Sequence, residues 1–303
     1  MKNFWGIRLS HLMLLLTAVF LSVGIFVLAT IPLFLLRISL GASRYIALVS
    51  VTTIAMLFSQ SSIAWIPFLI AATLVGLYQH AKDLDCELLQ AGLVSILGTT
   101  GLFSFFLGLF VHITDLDLLT LVNTKTQQFL VTLKEVQPNL TIDLDTLVTQ
   151  IPSAVVMILL FSLWFGLLGL KYLAKNDRIK TLHGITSQKL RQINSTKLRD
   201  FELPGFVIWI ALPVIAITFI EFDLVEIKMI AGNILNILLI LYFFHGLSII
   251  AVFFRASEVG IFWRVFWYIV LTVQMFLLVS SLGFADFWMN FRSKINKKPA
   301  KTV

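Results

Sequence analysis

The feature that most constrains this chain is the recurrence of apolar stretches about as long as a bilayer is thick. They lie near residues 11–35, 44–59, 62–79, 88–112, 152–173, 204–221, 230–254 and 261–285. A helix needs about 20 apolar residues to cross a hydrocarbon core of about 30 Å, and it crosses only if its backbone polar groups are paired within the segment. Composition agrees: 13% of residues are charged and 58% hydrophobic, with 27 Phe, where a soluble domain carries about 25% charge. No soluble domain of ordinary size fits between the stretches. The expected fold is therefore all-α, a polytopic integral membrane helix bundle of about eight transmembrane helices forming a single integral membrane domain over residues 1–303.

Local signals refine this outline. The second and third stretches are short and separated only by "QSS", which implies an antiparallel hairpin. Pro32, Pro67 and Pro213 fall inside apolar runs, where a missing N–H kinks a helix that its neighbours must then satisfy, whereas Pro204 suits a first turn. Lys2 and Arg8 precede the first run as in a signal peptide, but that run is longer than a signal's apolar core, so an uncleaved helix is expected.

Two long connections and the tail carry most of the charge. Residues 113–151 hold Asp115, Asp117, Glu135, Asp143 and Asp145 against Lys125 and Lys134. Within them Leu118, Val122, Phe129, Leu133 and Val136 follow one helical stripe, and Leu144, Leu147, Val148 and Ile151 another. These patterns predict amphipathic helices lying on the bilayer or capping the bundle. The connection 171–203 is basic, and the tail 290–303 holds five basic residues and no acid. The positive-inside rule assigns both to the cytoplasm, yet three crossings separate them. Either one segment is re-entrant or half-length, or one basic region is translocated.

The net charge of +7 lies in these flanking segments, so orientation in a membrane explains it and nucleic-acid binding is not expected. Cys86 is the only cysteine, which rules out an internal disulfide and a structural zinc site. No phosphate loop, H-E-x-x-H or G-x-S-x-G motif is present. The chain is read as a non-enzyme that needs no cofactor.

The stretch "NILNILLILYFFHGLSII" carries the most informative polar residues. His245 sits near its middle, where an ionisable group normally faces protein or a cavity. Tyr242, His245 and Ser248 share one face, Asn233 and Asn236 another, and His245 lies about 180° from Asn236 at 100° per residue. A helix with polar stripes on opposite sides is expected to be enclosed by protein. Two roles are open: Asn233, Asn236, His245 and Gln274 line a ligand pocket or proton path, or they make interhelical hydrogen bonds worth about 0.6–2 kcal/mol. Gln274 is the expected partner of His245. Small residues at Ala91, Ser95, Gly98 and Thr99, and at Ala18 and Ser22, are read as close helix packing or a docking face.

At "LRDFELP", "NILNILLILYFFHGLSII" and "LGFADFWMNFR" the chain resembles the YybS-like family of predicted bacterial multi-pass membrane proteins. The matching residues are Arg199, Pro204, Asn236, Gly246, Gly283, Asp286 and Arg292. That family is in turn distantly similar to the substrate-binding S-components of energy-coupling-factor transporters. The resemblance implies a bacterial cytoplasmic (inner) membrane protein that binds a solute and relies on a separate ATPase and transmembrane coupling module. The alternative is a membrane scaffold or assembly factor acting through its extramembrane loops. From position alone, Asp286 and Arg292 are six residues apart and are expected where the last helix leaves the bilayer, with Trp288 and Phe291 at headgroup depth.

Overall fold

The computed structural model describes residues 8–58, 65–115, 117–137, 144–173, 201–220 and 225–296. Among the described residues there are twelve helices and no strand. The chain divides into two compact units, Met1–Asp117 with Ile158–Thr196, and Leu118–Met157 with Lys197–Val303.

The first unit holds α1 (Leu9–Gly24), α2 (Phe26–Leu40), α3 (Ala42–Phe58), α4 (Trp65–Asp83) and α5 (Leu88–Thr114), with the later part of α7 (Leu144–Leu173). The first apolar stretch is thus two helices packed on each other, divided at Ile25. The break follows Gly24, a poor helix former, whereas Pro32 lies inside the second helix. Gly41 ends α2 with φ +83°, and its N–H donates to the Arg37 carbonyl at 3.1 Å. Ala18 and Ser22 are buried, as are Ala91, Ser95 and Thr99. The Ser95 hydroxyl donates to the Leu74 carbonyl at 2.7 Å, so the small-residue face of α5 is spent on packing against α4. Two further contacts pin the unit: the Tyr45 hydroxyl on the Ala72 carbonyl at 2.9 Å, and buried Arg37 on Asp83 at 2.6 Å.

The second unit holds α6 (Leu118–Val136), the start of α7, α8 (Val207–Phe219), α9 (Val225–Ala256), α10 (Ile261–Val273), α11 (Phe276–Met289) and α12 (Phe291–Asn296). α6 is the first helix expected in the acidic connection. The second expected stripe, 144–151, is not a separate surface helix, because α7 continues through Pro152 without ending. Pro204 precedes α8, its carbonyl accepting the Val207 N–H at 3.0 Å.

Among the described residues three helices are long and apolar enough to cross a membrane: α5, α7 and, from Glu226, α9. α1, α2, α3 and α8 are apolar but shorter. The last apolar stretch is bent by 96° between α10 and α11, so it is either a broken span or a re-entrant loop. Of the long helices α9 is the most enclosed, 61% of its most apolar window being buried against 17% for α5 and 39% for α7. This agrees with polar residues on its opposite faces.

Candidate functional site

The site is built where α9 meets α11. A methyl group at Gly246 would overlap the carbonyl oxygen of Val279, and one at Gly283 would overlap that of Tyr242. The helices therefore touch backbone to backbone, which only glycine permits. Rings close the contact on either side, Phe243 on Phe276 at 4.8 Å and Tyr242 on Phe284 at 5.3 Å. The Ser280 hydroxyl adds a hydrogen bond to the Leu239 carbonyl at 3.0 Å.

This approach sets His245 against Asp286, both buried, with Nε2 and Oδ2 3.0 Å apart. The other ring nitrogen, Nδ1, lies 3.0 Å from the backbone N–H of Leu203. An amide N–H only donates, so Nδ1 is the bare acceptor and Nε2 carries the proton that Asp286 receives. The expected partner Gln274 plays no part here. It is exposed at the C-terminal end of α10, its backbone N–H on Val270.

Asp286 also organises the chain that follows. α11 stops at Asn290, whose φ of 47° and ψ of 51° are left-handed. The chain turns there, and the Phe291 N–H that opens α12 donates to Asp286 Oδ1 at 2.6 Å. The same turn brings Arg292 back toward α9. Its guanidinium donates to the Phe201 carbonyl and to the Ser248 hydroxyl, and lies 3.8 Å from Glu202. Ser248 donates to the His245 carbonyl at 2.5 Å and lies 2.9 Å from that of Phe201.

Asp286 and Arg292 are therefore turned into the protein and joined in one cluster, not set apart on separate faces. Asp286 is 6% exposed and the Arg292 side chain 16% exposed. Counting six residues along one helix puts them on different faces, but the helix ends between them. Trp288 does point outward.

Asn233 and Asn236 form a second polar contact, on α7. The Asn233 amide nitrogen donates to the carbonyls of Thr149 (2.8 Å) and Met229 (3.0 Å), while its oxygen accepts the Ser153 N–H at 3.0 Å. Thr149 and Ser153 are the i and i+4 pair beside Pro152, where the ring disturbs helix pairing. Asn236 adds a longer bond to the Ser153 hydroxyl, 3.2 Å. The four candidate ligand residues are thus not brought together, three of them being engaged by protein groups in two places. Of the seven signature residues, Gly246, Gly283, Asp286 and Arg292 converge, Pro204 ends the strap that joins them, Asn236 belongs to the α7 contact, and Arg199 lies outside the described residues.

Chemically the His245 cluster is closed, since both ring nitrogens and both Asp286 oxygens have protein partners. Among the described residues no group of three His, Cys, Asp or Glu side chains could hold a metal ion. A cleft of about 140 Å³ opens beside it between α8, α9 and α11, lined by Ile215, Leu238, Leu239, Tyr242, Ser281 and Phe284 among others. None of the four candidates lines it. Sequence reasoning missed Leu203, Ser248 and Ser153 as partners. The signal that could have paired His245 correctly was Asp286, a carboxylate inside the run "LGFADFWM".

A family model described as "Predicted membrane protein (DUF2232)" matches residues 9–287, consistent with a YybS-like membrane family. Comparison with curated proteins and with solved structures gives no match.

Proposed function

We propose a function for this chain from one premise: it belongs to the predicted membrane protein family DUF2232. In our reading it is a multi-pass protein of the bacterial inner membrane, without chemistry of its own. It binds an apolar or amphiphilic small molecule as the solute-binding part of a transport system, and an ATPase and coupling subunit supply the energy. The observation that carries this reading is the cleft between α8, α9 and α11. Its wall is mostly hydrocarbon and aromatic, and the backbone contact at Gly246 and Gly283 holds two of its three sides rigidly. A preformed apolar cleft of about 140 Å³ with a few hydroxyls at its edge suits one acyl or aromatic segment of a molecule that otherwise lies in lipid. The closed His245 cluster then supports the wall rather than touching the solute.

The test is purification in mild detergent with mass spectrometry of bound small molecules and proteins, for the native chain and for Ser281→Trp, which fills the cleft from an exposed position. The reading expects a stoichiometric lipid-like molecule on the native chain that Ser281→Trp loses while still folding. Absence of any such molecule, or equal retention by the variant, overturns it.

A scaffold acting through the extramembrane connections is the second reading. It is favoured by α6, whose Leu119, Leu121, Phe129, Val131 and Val136 are all exposed. Recovery of partner proteins that disappear on deletion of 118–136, with no small molecule, would establish it instead.

A further inference from the structure

We infer that residues 261–296 enter and leave the membrane on the same face, so that the basic connection 171–203 and the basic tail lie together on one side. The long helix α9 provides the ruler. α10 starts at its C-terminal end, where the Arg264 Nε donates to the Val259 carbonyl at 2.5 Å and the Tyr268 ring meets Phe254 at 5.4 Å. After the 96° bend α11 packs on α9 at Phe243 and His245, and the chain beyond it ends on Ser248 through Arg292. Ser248 is eight residues from the end of α9 at Ala256 and 23 from its start at Val225. At a rise of 1.5 Å per residue these are about 12 Å and about 34 Å. The tail that follows carries Lys294, Lys297, Lys298 and Lys301. Lysines are costly in the bilayer centre, so the tail leaves by the shorter route, on the face where α9 ends.

The same guanidinium fixes where the basic connection returns. Arg292 holds the Phe201 carbonyl and faces Glu202, so the connection ending at residue 203 comes in from that face too. At the other end of α9, Asn233 binds Thr149 and Ser153, placing the acidic connection 113–151 on the opposite face. The eight Lys and Arg of 171–203 and the five of the tail then share a side, opposite five acids. The positive-inside rule is satisfied at both places, and the basic face is cytoplasmic.

Single-cysteine labelling tests this in a Cys86→Ser background, with Thr124→Cys, Ser187→Cys and Thr302→Cys and an impermeant maleimide. In sealed cells Thr124→Cys labels, while Ser187→Cys and Thr302→Cys label only after permeabilisation. If Ser187→Cys and Thr302→Cys report opposite faces, the last segment crosses and the inference fails. If both label in sealed cells while Thr124→Cys does not, the cytoplasmic assignment fails.

Discussion

The imidazole of His245 bridges two segments that are 42 and 41 residues away in the chain, Leu203 on one nitrogen and Asp286 on the other, each at 3.0 Å. Neither nitrogen is open to a ligand while these contacts are made. The residue acts as a latch: it ties the strap before α8 and the end of α11 to the middle of α9.

Coupling across this latch is the first expectation. His245→Leu leaves the buried Leu203 amide and Asp286 short of partners, which costs about 1–3 kcal/mol. Asp286→Leu should cost a similar amount, with additional loosening of α12. The double variant should cost less than the sum by about 0.5–2 kcal/mol, measured by equilibrium unfolding in detergent or bicelles.

Backbone contact makes Gly246 and Gly283 the least tolerant glycines of the second unit. Alanine at either meets a carbonyl oxygen, not a movable side-chain end, so α9 and α11 must separate, at a cost of about 1–3 kcal/mol or more. At Gly101 in α5 an added methyl group would meet nothing within 4 Å, and Gly101→Ala should be neutral or stabilising by up to about 1 kcal/mol. Thermal stability of the three variants in one detergent gives the ranking.

Asn233 and Asn236 should differ although they look alike in the sequence. Asn233 makes three hydrogen bonds and Asn236 one long one. Asn233→Leu should therefore destabilise the α7–α9 contact by about 1–2 kcal/mol and Asn236→Leu by less than half as much. Proteolysis rates near residue 150 provide the readout.

In the first unit, Asp83→Asn removes the anion from buried Arg37. Asp83 is 40% exposed, so water relieves part of the loss and about 1–3 kcal/mol is expected. Asp83→Glu should recover most of it. Unfolding midpoints of the two variants separate a charge effect from a merely steric one.

Hydropathy made the helical membrane class legible, because long apolar runs leave a backbone few other ways to pair its amides. The enclosed position of α9 was also legible, from Asn236 and His245 on opposite sides. The breaks were not. Hydropathy stays high on both sides of Ile25 and of Gln274, and a single Gly24 or Gln274 is too weak a signal to mark a break. The second apolar stripe of the acidic connection merged into α7 because Pro152 kinks a helix without stopping it when neighbours satisfy the backbone. Asp286 was read as separate from Arg292 for a related reason: linear spacing assumed one helix, and a left-handed Asn290 turns the chain between them. Gln274 looked like a partner of His245 only while α10 and α11 were taken as one straight span.

The latch is tested most directly by the ¹⁵N spectrum of the imidazole of His245, assigned by its disappearance in His245→Gln, in detergent-solubilised or bilayer-embedded protein. The account predicts a neutral ring with the proton on Nε2 and an unprotonated Nδ1, as the Leu203 N–H and the Asp286 carboxylate require. A ring protonated on Nδ1, whether neutral or charged, would contradict it, because Leu203 could not then donate to that nitrogen.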